Sequence, residues 1–430
     1  MFSRRIFCSS AAAALALPAS ARLLPASAGN PLTLAPVTPQ PGDWPWWRGP
    51  SLNGIAEAGQ MPPVSWSDSR NILWKTPIPG RSHGSLTVVG PDVLLAVADH
   101  DRNLQAVLCL DRGTGRQKWE SALHTDGLSV KGNEKSSMAS ASPACDGSRI
   151  FINFHNADSV WMHALDRDGS LLWKTRLSGY VNHQGFGSSP LLCGDLVIGA
   201  SDNKGGGAIV AMHRGTGEVV WKRDRPAKPN YPSPVILTAA GRTQLLLTGC
   251  DLVTSLDPAT GQTLWEVPGA TTECVTTTVT DGERIFTSGG YPKNHVSAVF
   301  ADGSGKLAWE NNARTYVPSM LLQDNTLFAV LDAGVAICWD SVSGEELWKG
   351  RLGGTFSSSP VLANGLIYAA NEEGTTFVFE ASRDQFTLVA SSKLGDHTFA
   401  SPAICGSRIY QRIASMDNGR RQEFAVCIGS

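Results

Sequence analysis

LDPATGQTLW, from Leu256 to Trp265, is the stretch whose reading decides the fold. An aspartate, a Thr-Gly pair and a tryptophan four residues after the glycine describe a tight turn followed by a strand that starts on a large ring. The glycine takes the left-handed backbone position that such turns require. Five more copies follow: LDRGTGRQKW (Leu110 to Trp119), LDRDGSLLW (Leu165 to Trp173), MHRGTGEVVW (Met212 to Trp221), FADGSGKLAW (Phe300 to Trp309) and WDSVSGEELW (Trp339 to Trp348). Glycine stands four residues before tryptophan in all of them, from Gly115/Trp119 to Gly344/Trp348. Successive tryptophans lie 54, 48, 44, 44 and 39 residues apart. Such a period marks a repeat architecture.

Each repeat holds three further strand-like runs. In the third they are Gly187 to Cys193, Leu196 to Ser201 and Ala208 to His213, followed by Glu218 to Lys222. Short β-branched or aromatic runs bounded by Gly, Asp or Asn are antiparallel strands joined by hairpins. Four strands per repeat without helical periodicity predict an all-β chain, a β-propeller. Ser-Pro dipeptides (Ser142-Pro143, Ser189-Pro190, Ser233-Pro234, Ser359-Pro360, Ser401-Pro402) mark the innermost strand, where proline is tolerated because one side has no ladder partner. A degraded seventh phrase, FEASRDQFTL (Phe379 to Leu388), places Leu388 in the tryptophan's position. Three strands follow it, and an orphan fourth strand, Asn71 to Lys75 around Trp74, precedes the first repeat. Joining the two ends predicts eight four-stranded antiparallel blades, the last closed by the N-terminal strand. Trp74, Trp119, Trp173, Trp221, Trp265, Trp309 and Trp348 are then structural, docking each blade on its neighbour.

The 430 residues carry 44 glycines and 13 tryptophans but only 17% charged side chains, at a net charge of −2. With no basic block, nucleic acid is excluded as an expected partner. After the amino terminus no apolar run is long enough for a transmembrane span. Residues 1–28 read as a twin-arginine-like export signal: Ser3-Arg4-Arg5-Ile6-Phe7, an alanine-rich run from Ala11 to Leu17, and a small-residue site at Ala26-Ser27-Ala28. Cleavage there leaves 33 basic against 38 acidic residues, and a periplasmic or secreted location follows. Eight cysteines remain without close spacing, which predicts mostly free, buried thiols. Residues 29–70 form a Pro/Trp-rich arm, and residues 71–430 the propeller. Trp44, Trp46, Trp47 and Trp66 need cover, so the arm is expected to pack across the outside of a blade.

The repeated phrase resembles the tryptophan-docking motif of PQQ-like (pyrroloquinoline quinone) repeat proteins, best kept at Leu110–Trp119 and Leu256–Trp265. The leader Trp44-Pro45-Trp46-Trp47-Arg48-Gly49-Pro50 is similar to a segment of exported bacterial members. The resemblance covers about Asn71 to Ser430 and implies the propeller fold. It leaves two functions open, because the superfamily holds both quinoprotein dehydrogenases and cofactor-free scaffolds of outer-membrane assembly. The enzymes share an adjacent Cys-Cys pair, calcium held by Glu and Asn, and a catalytic Asp. This chain has no adjacent cysteines, and none of its Glu, Asn or Asp residues matches those roles by motif. The resemblance is therefore closer to the non-enzymatic propellers: a monomeric scaffold with no cofactor, binding a protein or cell-envelope component. The alternative is a quinoprotein oxidoreductase using PQQ and calcium.

No catalytic, cofactor or metal residue is assigned. Connections between second and third strands, and from blade to blade, are longer and more polar than the other turns and share one face. The candidate binding face comprises His83, His100, His155, His183, Lys204, Lys293, Tyr316, Glu372, Glu373, His397, Arg420 and Arg421. Gly80-Arg81-Ser82-His83-Gly84 matches a nucleophile elbow in letters only, since that motif needs a strand-to-helix turn and lies here between strands. Among the histidines just ahead of inner strands, His83 and His397 belong to adjoining blades.

Overall fold

The computed structural model describes residues 32–128 and 132–430, so the expected export signal lies outside the described residues. Eight separate four-stranded antiparallel sheets follow one another around a ring. Blade 1 is Thr87–Val89, Asp92–Asp99, Leu104–Asp111 and Gln117–His124, and blades 2 to 7 repeat that order. Blade 8 takes Ala403–Cys405, Arg408–Asp417 and Arg420–Ile428 from the carboxyl end, and its outer strand is Ile72–Ile78, with Trp74 opposite Cys427. The inner strand of blade 1 touches that of blade 8, which closes the ring. No helix among the described residues is long and apolar enough to cross a membrane. The cysteines from Cys109 to Cys427 are all buried and free, as expected.

The repeated phrase does two jobs, the first wherever it carries an aspartate, which the Met212–Trp221 copy replaces with His213. Its aspartate caps its own turn, as Asp257 does by accepting the amides of Ala259 and Thr260 at 3.0 and 2.8 Å. Its tryptophan crosses to the next blade and donates the indole N–H to a turn carbonyl there. Trp74 reaches Arg112 O, Trp119 Arg167 O, Trp173 Arg214 O, Trp221 Pro258 O, Trp309 Ser341 O and Trp348 Ser382 O, all between 2.8 and 3.1 Å. Trp265 uses a relay: its N–H meets Gln244 Oε1 at 2.8 Å, and Gln244 Nε2 donates to Ala301 O of the next blade. Glycine is required under the ring. At Gly261 the backbone is left-handed (φ +68°), and a Cβ would lie 2.5 Å from the Trp221 ring.

Strand register corrects the reading of the seventh phrase. Cys109 faces Trp119 in blade 1, and the equivalent Val378 faces Ala390, not Leu388. The turn of blade 7 is two residues longer than that of blade 1, so counting along an ungapped phrase stops short. No ring is needed at Ala390. The next blade's third and fourth strands are not consecutive in sequence, so that blade has no turn on which a ring could dock. Leu388 is 46% exposed, and Trp66 of the arm instead lies buried against this outer strand, its amide bonded to Ser392 Oγ at 3.0 Å.

The arm overturns a second expectation. Only its end reaches the outside of a blade; residues 44–56 enter the central channel. They come in from the face of the short turns, where Gly90 N–H binds Asp43 and Arg112 binds Gly42 O. Trp44 then pairs with Val88 of blade 1, Pro45 O accepts Cys145 N–H of blade 2, and Gly54 and Ala56 pair with Leu362 of blade 7. Arg48 is 3% exposed, and its guanidinium donates to the carbonyls of Asn53, Met320 and Pro360. The channel is the deepest apolar cover available, so Trp44, Trp46 and Trp47 go there, and Trp66 alone of the four covers a blade's outer strand.

The Trp221→Ala variant removes a buried ring and its seam hydrogen bond, and is expected to cost about 3–5 kcal/mol. Leu388→Ala touches an exposed side chain and is expected to stay within about 0.5 kcal/mol of wild type. Thermal melts of the two variants side by side check the contrast.

Candidate functional site

Two residues ahead of each inner strand stands a serine or threonine: Ser85, Ser142, Ser189, Ser233, Thr277, Ser319, Ser359 and Ser401. Here the backbone bonds sideways rather than to its own ladder. The amides of Ser85, Ser142 and Ser189 bind the hydroxyls of Ser142, Ser189 and Ser233, each at 2.9 Å. Those of Thr277, Ser319 and Ser359 bind Ser319, Ser359 and Ser401 at 2.7–3.0 Å. This girdle explains why the inner strands are only two to five residues long, shorter than the sequence suggests. At Thr277 the hydroxyl instead accepts the indole N–H of Trp47 at 2.8 Å.

Trp47 thereby closes the channel at the level of the girdle. Above it, on the loop-rich face, lies a blind cup of about 350 Å³, within the usual size range of ligand pockets. Ser189, Ser233, Ser359 and Ser401 line it together with Trp47, and His83, Phe186, Tyr231, Tyr316 and Phe399 supply aromatic walls. The His83 and Phe399 rings stack at 4.4 Å and 18°. Burial, reinforced by Arg81, Arg421 and Arg412, holds His83 far below the usual histidine range, so its ring is neutral. Burial and the nearby Glu273 raise the phenols of Tyr231 and Tyr316, so both stay protonated.

Two polar clusters flank the cup. Glu273, 6% exposed, accepts from Tyr316 Oη at 3.2 Å and faces His183 Nε2 at 3.4 Å. Lys135, from the connector between blades 1 and 2, reaches Glu372 of blade 7 at 2.7 Å, and Ser357 Oγ donates to the same carboxylate.

Of the candidate face residues, His83 and Tyr316 line the cup, His183 sits beside it, and Glu372 anchors Lys135 at its edge. His100, Lys204, Lys293, Glu373 and Arg420 are exposed and stand apart. His100 and Arg421 line a second, shallow recess of about 420 Å³ with Arg81, Asp99 and Asp101. Arg421 is tied to Glu423 at 2.8 Å. His397 is paired through its backbone with Ala414. His155 is only 2% exposed, bonded to Ala157 O and packed on Tyr180, which removes it from the face. Ser82 of the elbow-like motif is buried and accepts the amide of Ala98, a structural role. Sequence reasoning missed Trp47, Lys135, Tyr231, Glu273 and Phe399. The hydroxyl girdle left a partial signal in the Ser-Pro dipeptides.

The family model described as outer membrane protein assembly factor BamB matches residues 105–330 and 292–385. This chain belongs to that family. A curated family relative, outer membrane protein assembly factor BamB of Burkholderia pseudomallei (strain K96243), is 27% identical over 357 residues, covering 79% of this chain and 84% of the relative. Among solved structures, BamB from Moraxella catarrhalis aligns over 83% of this chain and 99% of its own, with a TM-score of 0.59 and 14% identity. A europium-containing methanol dehydrogenase aligns over 92% and 99%, with a TM-score of 0.65 and 13% identity. The quinohemoprotein alcohol dehydrogenase from Comamonas testosteroni aligns over 90% and 81%, with a TM-score of 0.64 and 12% identity. At these identities the structural likenesses carry the fold alone.

The residues of the cup do not fit PQQ with calcium. PQQ carries three carboxylates, and the one cationic side chain among the described residues that line the cup, Lys135, is already engaged by Glu372. Burying unpaired carboxylates among aromatic rings is unfavourable. Among the described residues no group of three or more His, Cys, Asp or Glu side chains is placed to hold a metal ion.

His83 and the fully buried His163 are both kept well below their ordinary value of 6.5, mainly by desolvation. His124, whose ring lies 5.0 Å from that of His163, is lowered to about 4, first by burial and then by Lys174. Once unfolded, these imidazoles bind protons near their ordinary value, so the unfolded state takes up more protons as pH falls. Stability is therefore expected to be flat above about pH 6.5 and to decline from there toward about pH 4. In His163→Phe the decline should be shallower. Thermal melts at stepped pH check this; an identical decline in the variant would contradict it.

Proposed function

We propose that this chain is a non-catalytic scaffold for outer-membrane protein assembly, exported by its twin-arginine-like leader and engaging a protein or envelope component through the loop-rich face. The supporting observation is membership of the BamB family across residues 105–385, the body of the propeller. The 27% identical curated relative, aligned over most of both chains, points the same way. The side chains at the channel mouth agree. Their histidine is neutral and stacked, their carboxylates are engaged by neighbours, and the serine of the elbow-like motif is buried in a backbone contact. An oxidoreductase reading draws on likeness to dehydrogenases at 12–13% identity and asks the cup to hold a group its side chains do not match.

The test uses the mature protein in two assays. A photo-crosslinking residue at the exposed positions His100, Lys204, Lys293 or Arg420 is expected to capture outer-membrane proteins or assembly components in the cell envelope. The same residue at Arg116 or Arg242, on short turns of the opposite face, is expected to capture far less. Mixing with PQQ and Ca²⁺ should give neither stoichiometric quinone retention nor dye-linked alcohol oxidation. Retention with turnover would overturn the reading, as would equal capture from both faces.

A further inference from the structure

We propose that the recess at the seam between blades 8 and 1 binds a single carboxylate through the guanidinium groups of Arg81 and Arg421. It opens on the loop-rich face, separate from the cup, and the inference does not rest on the assembly reading.

The recess, of about 420 Å³, lies where three segments meet at the closing seam of the ring. Ile78 to Arg81 lead from the outer strand of blade 8 into blade 1, Asp99 to Asp101 follow the second strand of blade 1, and Arg421 and Gln422 begin the third strand of blade 8. Donors without acceptors are what it presents. Among the described residues no hydrogen bond or ion pair engages the Arg81 side chain, and of its three nitrogens only Nε is sealed from solvent. Arg421 is fixed from behind: Glu423, 1% exposed, accepts from its Nε at 3.0 Å and from its Nη2 at 2.8 Å. The Nη1 of Arg421 makes no hydrogen bond and is open to solvent. Glu423 is also shared, since Arg412 Nη1 lies 3.9 Å from its other oxygen. One buried carboxylate thus serves a cluster of three guanidiniums. Burial and the Arg421 charge lower Arg81 from its ordinary value, and Glu423 and Glu134 offset only part of this. A guanidinium carries donors alone, in a fork that matches the two oxygens of a carboxylate. The facing wall limits the ligand's charge. Asp99 is engaged by Arg102 at 3.1 Å and by the amides of Asp101 and Arg102, whereas Asp101 is exposed and unpaired. A second negative charge on the ligand would meet that carboxylate, which favours a monoanion over a dianion.

Isothermal titration of the mature protein at low ionic strength with propionate, propionamide and sulfate tests the proposal. One propionate site is expected, with affinity at least about tenfold above that of the neutral amide and of sulfate. Added salt should weaken it. Arg81 has no bond to lose, so Arg81→Gln is expected to melt like wild type and to bind propionate at least about tenfold more weakly. Arg242→Gln, on the opposite face, should leave binding unchanged. N-acetyl-glutamate α-amide, which carries one side-chain carboxylate, separates the two sources: competition with propionate assigns the carboxylate to a partner's side chain, and failure to compete assigns a free organic acid. No propionate binding at millimolar concentration overturns the proposal, as does binding that survives a correctly folded Arg81→Gln, or propionamide or sulfate binding equally well.

Discussion

An indole N–H handed from one blade to a turn carbonyl of the next is the contact on which the ring depends. A blade is one twisted sheet with two apolar faces and cannot bury either by itself, so each must be covered by a neighbour at a fixed angle. An aromatic side chain buries on the order of 150–250 Å², which at about 25 cal/mol per Å² amounts to roughly 4–6 kcal/mol of transfer energy per seam before entropy is counted. The hydrogen bond adds less energy but sets direction: the ring must lie over the glycine of the next turn for its N–H to find the carbonyl. Where the partner blade has no such turn, between blades 7 and 8, the ring is absent, and Trp66 of the arm covers the strand instead.

The inner circumference obeys a different constraint. Near the axis the strands converge, and the amides ahead of each inner strand have no ladder to join. Hydroxyls from the next blade satisfy those of Ser85, Ser142, Ser189, Thr277, Ser319 and Ser359, producing a polar girdle inside an apolar channel. Residues 44–56 then fill the channel on one side of this girdle. Arg48 carries its charge into the plug and is satisfied there by three carbonyls rather than by a carboxylate. One side of the channel is thus solid and the other a cup. The asymmetry comes from the arm, because the eight blades are built on a single plan.

The fold was legible because its determinants are local and repeated. Asp257, Gly261 and Trp265 are each required by turn chemistry within ten residues, and five other copies confirm the pattern. Leu388 was misplaced because blade 7 lengthens its turn by two residues, which pairing register reveals and a count along the phrase does not. The cup was mostly illegible. Trp47 and Thr277 are 230 residues apart, and Lys135 and Glu372 are 237 apart. His183, Glu273 and Tyr316 come from separate inter-blade connectors, and nothing local in any of them announces the others. The face was readable from loop length, whereas the depth and chemistry of its centre depended on an arm without periodicity.

Native-state hydrogen exchange, resolved by peptide, addresses the central claim most directly. If residues 44–56 plug the channel and pair with its inner strands, their amides should exchange as slowly as those of strands such as Leu104–Asp111, deep within a blade. Exchange of that segment within seconds, while the blades stay protected, would place the arm outside the channel and leave the cup without a floor.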